Sequence, residues 1–237
     1  MPELTLEAPE YDLDLTLSPS FVSSMYKRVG KGRWVKIAGS LSPFTLRQEG
    51  KTIRARFKAD LKREYLEELL ELETGLWHGA CEEEIGKIPR SLRGDVEALA
   101  ERYPGVRIAI APHDFWRVFL AATLSKRTSY YALVLKWCEK LWSLSREPED
   151  LLIIDLSEIG SSYQVFQARR TFSSCIGTLK ELSRELKVLE PELVRFRLIK
   201  ECWGVGPKVA DATVLHTMKA PHFAPCDVHL VALARTF

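Results

Sequence analysis

The sequence predicts an α+β protein, with an antiparallel sheet in the N-terminal part and an all-helical remainder. Two observations carry this. Over residues 11–57 apolar residues alternate with polar ones between glycines, the period of half-buried strands. From residue 58 onward the period becomes helical, and Gly or Pro stands close to most of the segment ends.

Each element follows from its pattern. Leu13, Leu15 and Leu17 fall on one face of an expected first strand. Trp34-Val35-Lys36-Ile37, residues 44–46 and residues 53–57 supply further strands. Gly30, Gly32, Gly39 and Gly50 sit between these runs, where turns are required, so a small β-meander is expected. Over 58–73, Leu61, Tyr65, Leu66, Leu69 and Leu70 form one apolar stripe with Lys, Arg and Glu elsewhere, the pattern of an amphipathic helix. Further helices are expected over 91–103, 114–123, 130–144, 165–186 and 192–202. Gly75, Gly79, Gly86, Pro89 and Gly94 mark a connecting stretch, and the expected division is a sheet domain over 1–78 and a helical domain over 79–237.

Composition narrows the functional classes. The 237 residues leave room for one large domain or two small ones. At 46% hydrophobic and 28% charged the chain has the make-up of a folded globular protein, which argues against disorder, collagen-like repeats and coiled coil. Lys and Arg number 34 against 32 Asp and Glu, a formal net charge of +2. That balance does not by itself announce a nucleic-acid or membrane-surface binder, so any basic surface must come from local clustering. Lys126, Arg127, Lys136 and Lys140 are candidates for such a face, the alternative being a solvated helix surface. The apolar runs 118–124 and 151–154 fall far short of the roughly 20 residues that cross a bilayer, and no membrane association is expected. The start, Met1-Pro2-Glu3-Leu4, lacks the basic opening of a secretory signal, so an intracellular protein is expected. Five cysteines at 81, 138, 175, 202 and 226 include no Cys-x-x-Cys pair, and the expectation is buried free thiols with no metal site.

The most informative stretch is Cys202-Trp203-Gly204-Val205-Gly206-Pro207-Lys208-Val209-Ala210-Asp211. A helix ends at Cys202, two glycines permit a tight turn, and Pro207 stands at the first position of a new helix. Gly204 and Gly206 let the backbone approach another molecule, and the free amides of a helix start suit phosphate. A glycine-capped αα-hairpin with no ligand is the alternative. Lys208 sits in the first turn of the second helix, where the macrodipole disfavours a cation by about 0.3–1 kcal/mol. A lysine with only a structural role is better placed at a helix C-terminus. A neutral, nucleophilic amine there would need partial desolvation to supply the rest. Downstream, Pro225-Cys226-Asp227-Val228-His229 places an Asp directly before an apolar run, either as an ordinary N-cap or as a partner for the amine.

These two segments together resemble the helix-hairpin-helix DNA glycosylases, specifically the 8-oxoguanine DNA glycosylase/lyase branch. In that family a Gly-Val-Gly-x-Lys-Val-Ala-Asp hairpin is followed by a Pro-x-Asp-Val-His segment. Here Gly204 to Asp211 and Pro225 to His229 match, with Asp227 standing 19 positions after Lys208. Tyr11-Asp12-Leu13-Asp14-Leu15-Thr16-Leu17 looks like the start of the family's sheet domain. Tyr103-Pro104-Gly105-Val106-Arg107-Ile108 looks like the strand-like entry to its helical domain. The sheet favours the 8-oxoguanine branch over endonuclease III, which lacks it.

The resemblance implies a bifunctional glycosylase and abasic-site lyase of base excision repair, working as a monomer on damaged double-stranded DNA. Lys208 would be the nucleophile and Asp227 would stabilise charge on the sugar and orient the amine. Gly204, Val205 and Gly206 would grip the DNA backbone through amides, and His229 would reach another phosphate. No cofactor is implied beyond a monovalent cation that the hairpin carbonyls would share with phosphate. Phe166 falls at the family's aromatic wedge, the alternative being a core aromatic. Gln167 stands where the family has an Arg, and Thr128 where it has the Asn that contacts the orphaned cytosine. Ser20-Phe21 replaces the Gly-Gln that reads the oxidised purine. The family continues past the equivalent of Phe237 into a helix that completes the base pocket, so a further segment beyond Phe237, or a differently built pocket, is expected. Rival readings are a glycosylase for another damaged base, of endonuclease III or alkylation type, and a non-catalytic DNA-binding hairpin.

Overall fold

The computed structural model describes residues 2–58, 61–79, 85–160 and 163–225. By contacts the chain divides into two compact units, residues 1–37 with 41–110, and residues 38–40 with 111–237. The division by contacts falls after Ile110 rather than at 78/79: the helix over 63–74 packs on the first strand, and the Ile110 N–H bonds back to the Leu72 carbonyl of that helix.

In the first unit five strands, β1 (Glu3–Glu7), β2 (Tyr26–Gly30), β3 (Arg33–Lys36), β4 (Phe44–Glu49) and β5 (Thr52–Phe57), form an antiparallel sheet of order β1-β5-β4-β3-β2. The meander is as expected for β3 to β5. β2 and the edge strand β1 add to it, with Leu4 opposite Ala55 and Leu6 opposite Ile53. The unit also holds α1 (Leu13–Leu17), α2 (Arg63–Thr74) and α3 (Arg90–Arg102).

The expected first strand is a short helix. Asp12 caps α1 by accepting from the Leu15 N–H at 2.8 Å, and Leu13 and Leu17 are fully buried at i, i+4. Alternating leucines satisfy both periods over so short a stretch, and the cap decides. The stretch 105–110 forms no strand either, although the Ile110 N–H bonds the Leu72 carbonyl.

The core of this unit contains a charged pair. Lys36, on β3, lies 2.5 Å from the Glu73 carboxylate of α2, and the two are 0% and 1% exposed. The Tyr26 hydroxyl also bonds Glu73, and the Tyr26 and Phe44 rings flank the ammonium at 5.8 and 5.6 Å. The charge is therefore paired and covered by aromatic faces.

The second unit is helical: α4 (Phe115–Leu124), α5 (Leu135–Leu144), α6 (Asp150–Ile153), α7 (Tyr163–Glu185), α8 (Pro191–Glu201) and α9 (Pro207–Leu215). One π-turn, Tyr130–Val134, leads into α5, so the expected 130–144 helix is regular only in its second part. Helix α4 packs against α7 and α9, and α8 packs against α7 and α9. Phe115, Phe119, Phe172, Leu179, Leu198 and Val214 fill the space between them. Residues 38–40 join this unit at the start of α4: the buried Asp114 carboxylate accepts the Ser40 N–H at 2.9 Å and a Cβ on Gly39, at φ +84°, would meet it at 2.5 Å.

Cys175 and Cys202 form a disulfide, which corrects the expectation of free thiols. Their separation of 27 residues gives no spacing motif, and only the packing of α7 on α8 brings them together. Cys138 is a free, fully buried thiol, and burial pushes it above its usual range. The backbone at Cys175 leaves helical geometry, so α7 is kinked at the bridged residue. A cross-link closing a loop of this length is worth about 3 kcal/mol. Reduction is expected to lower the melting temperature by several degrees, read by thermal melts with and without a thiol reductant, and Cys202→Ala should show no further change on reduction.

Candidate DNA-binding and nucleophile site

The site is built on the hairpin between α8 and α9. Helix α8 begins with Pro191 and ends at Cys202, whose extended backbone starts the turn. Gly204 has φ +71°, a left-handed conformation that a side-chain-bearing residue rarely adopts, so a glycine is required there. Val205 is buried, with its N–H on the Cys202 carbonyl at 3.2 Å, and its side chain anchors the turn to the core. Gly206 is the N-cap of α9, and its carbonyl accepts from Val209 and Ala210. The amides of Gly204 and Gly206 form no hydrogen bond among the described residues. They form a ready anion site next to a helix start.

Lys208 is the second residue of α9, half-exposed, and makes no ion pair or hydrogen bond among the described residues. The neighbouring acid of the motif, Asp211, is committed elsewhere, at 2.5 Å from Arg195 of α8. That pair ties the two hairpin helices together and leaves Lys208 without a carboxylate on its own helix. Asp227 and His229 lie outside the described residues.

Three further contacts hold the entry to the turn. The Trp203 N–H donates to Ser174 Oγ at 2.9 Å, the Arg170 guanidinium stacks on the Trp203 ring at 4.0 Å, and the disulfide fixes Cys202 to α7. From the other side the turn after α4 reaches over. Lys126 Nζ donates to the Gly204 carbonyl at 3.2 Å, and desolvation holds this ammonium below the usual lysine range. Two unit charges at about 4 Å near a protein surface repel by about 4 kcal/mol. Lys126 therefore competes with a monovalent cation for the Gly204 oxygen. Arg127, in the same turn, has φ +55°, and Thr128 follows it, half-buried. The Lys140 ammonium donates to the Glu158 and Ile159 carbonyls at 3.1 and 3.4 Å.

Phe166 is 52% exposed on α7, which excludes the core-aromatic alternative, and Gln167 beside it is half-buried. Tyr163, at the start of the same helix, is more exposed still at 71%. Sequence reasoning passed over Tyr163, Arg170 and Trp203. Helical spacing was the available signal, since Tyr163, Phe166 and Arg170 fall on one face. Ser20 and Phe21 belong to the sheet unit. Ser20 is buried, follows α1 rather than a strand, and caps a 3-10 turn by accepting the Val22 N–H at 3.1 Å.

No family model matches the chain, and no curated protein does. Solved structures do. The 8-oxoguanine glycosylase/lyase of Clostridium acetobutylicum, in its apo form, superposes with a TM-score of 0.75 at 16% identity, covering 100% of this chain and 85% of that one. A structure of MBOgg1 in complex with a low-affinity DNA ligand gives 0.77 at 16% identity, covering 99% and 83%. The 3-methyladenine DNA glycosylase of Archaeoglobus fulgidus gives 0.73 at 16% identity, covering 99% and 86%. No helix among the described residues is long and apolar enough to cross a membrane. The five-stranded sheet, the helical unit and the hairpin at residues 202–208 together give this chain the fold of the helix-hairpin-helix DNA glycosylases.

Proposed function

We propose that the protein is a DNA glycosylase with abasic-site lyase activity that removes an oxidised purine, 8-oxoguanine first, from duplex DNA. The observation that carries this is Lys208 at the start of α9, without an ion pair or hydrogen bond among the described residues, directly beyond a turn whose Gly204 and Gly206 amides have no acceptor among them. A turn that only connects two helices has no need of a lysine in this position. The 8-oxoguanine glycosylase/lyase among the structural neighbours has also been solved with double-stranded DNA containing cytosine opposite 8-oxoguanine, which supports the choice of lesion.

In this reading the hairpin amides hold a backbone phosphate and the damaged nucleotide leaves the stack. Lys208 Nζ attacks C1′, the glycosidic bond breaks, and the base departs with the bonding electrons and gains a proton. Nζ loses a proton as the base takes one, the C1′–O4′ bond then opens with O4′ taking a proton from water, and the Schiff base so formed loses a proton from C2′ while the 3′ phosphate leaves in β-elimination. Asp227 stabilises the positive charge developing on the sugar, and His229 binds a second phosphate. Phe166 or Tyr163 fills the gap left by the flipped base. Thr128 and Gln167 face the opposite strand. Ser20 and Phe21 hold the sequence positions that read the base in the family the chain resembles, and the Ser20 hydroxyl accepts the Val22 N–H as a cap. Lys126 takes the part of a tethered cation at the turn, so no metal cofactor is assigned there.

Borohydride trapping tests the reading on duplexes carrying 8-oxoguanine opposite cytosine, an abasic site, thymine glycol or 3-methyladenine. A covalent complex on the 8-oxoguanine and abasic duplexes is expected. Trapping on the abasic duplex with excision of thymine glycol or 3-methyladenine instead would overturn the lesion. Binding without trapping or excision on any duplex would leave a non-catalytic hairpin.

A further inference from the structure

We infer that Arg170 and Trp203 form a second, preorganised phosphate-binding element beside the hairpin. It extends the protein's grip to a DNA backbone phosphate next to the one the glycine amides hold. The inference rests on the proposed action on DNA and adds a site to it.

Arg170 is exposed on α7, and among the described residues it has no ion pair and no hydrogen bond. Its guanidinium nevertheless has a fixed place, 4.0 Å over the Trp203 ring. A stacked guanidinium keeps its N–H edges pointing outward around the rim, and that planar fork matches two oxygens of one phosphate. Most surface arginines must give up side-chain freedom when they bind, whereas this one is already ordered by the ring beneath it.

Trp203 is itself immobilised. Its N–H is held by Ser174, and the residue before it is bridged to Cys175. Trp203 as a residue remains 41% exposed, and its indole N–H has no acceptor among the described residues, so it is a further available donor. The residue after it is Gly204, whose amide also has no acceptor among the described residues. The guanidinium over the Trp203 ring, the indole N–H of that ring and the N–H of the next residue therefore belong to one end of the turn, and Lys126 stands on the Gly204 carbonyl. Every group named is a donor or a cation. Among the described residues no carboxylate pairs with Arg170, Lys126 or Lys208. Such a cluster suits a polyanion whose charges repeat at short intervals. The alternative is that Arg170 only covers the face of an exposed tryptophan, in which case DNA does not touch it.

Salt dependence separates the two. Each phosphate neutralised contributes about 0.9 to the slope of log affinity against log salt. Arg170→Ala is expected to lower that slope by about one and to weaken duplex binding about tenfold at low salt, equally for damaged and undamaged DNA. Arg170→Lys should recover the slope and only part of the affinity, since it keeps the charge and loses the fork. Trp203 gives a second reading: DNA should quench part of the wild-type fluorescence, and that part should be missing in Trp203→Phe. An unchanged slope in Arg170→Ala, with wild-type excision intact, would overturn the inference and leave the glycosylase reading standing. A slope that depends on Arg170 in a protein that neither traps nor excises would do the reverse.

Discussion

Lys208→Gln is expected to abolish borohydride trapping and strand nicking, and to lower base excision by at least about a thousandfold, while duplex affinity stays within about threefold of wild type. The expectation follows from what Lys208 does not do in the fold. It is half-exposed, and no ion pair or hydrogen bond is lost with it among the described residues. Gln keeps the length and polarity near the helix start, so the melting temperature should move by no more than a surface change, within about 0.5 kcal/mol. The hairpin grips through backbone amides, which the substitution leaves in place. A variant that binds, melts normally and forms no adduct would assign the nucleophile to this nitrogen. Retained excision with lost nicking would point instead to water as the nucleophile and to a monofunctional enzyme. Retention of both activities would exclude Lys208 altogether.

The second large effect concerns stability. Lys36→Met is expected to destabilise the sheet unit by about 3–5 kcal/mol, because it removes the ammonium that faces the buried Glu73 carboxylate. Glu73→Gln should cost a similar amount by removing the carboxylate charge that faces the buried Lys36 ammonium. Removing both charges with side chains of similar volume, Lys36→Met with Glu73→Leu, should recover much of the loss. An isolated buried charge is the expensive species, and a pair replaced by apolar packing is often neutral. Urea denaturation of the two single variants and the double variant gives the coupling directly. Additive effects would show that the pair does not act as a unit.

The hairpin was readable in the sequence because its geometry depends on residue types that few other roles require. Two glycines, a proline at a helix start and a lysine in the first turn each restrict the backbone or the charge. The regular helices were readable for a related reason, since long segments sample the period many times. What could not be read depended on distant partners. Leu13, Leu15 and Leu17 alternate like a strand, and the side chain of Asp12 turns them into a helix. Lys36 shares the buried face of β3 with Trp34, where pattern alone would put an apolar residue. Cys175 and Cys202 carry no spacing signal, and the α7–α8 packing alone makes them a pair. At the site, the reading chose Phe166 from the motif and passed over Tyr163 and Arg170 on the same face. Exposure could be known only once the helix was docked.

Residues 38–40 bear on any attempt to divide the protein. They lie in sequence between β3 and β4, yet they belong by contacts to the helical unit. A helical fragment begun at residue 111 would leave out Ser40, whose amide meets the buried carboxylate of Asp114. That carboxylate, 1% exposed, would then face Arg117 at 3.4 Å without the backbone donor it has in the whole chain. Dissection at the apparent boundary thus removes a hydrogen bond from the root of α4, the helix on which α7 and α9 both pack. A recombinant helical half is better made as a circular permutant that carries the 38–40 tripeptide with it than as a simple truncation.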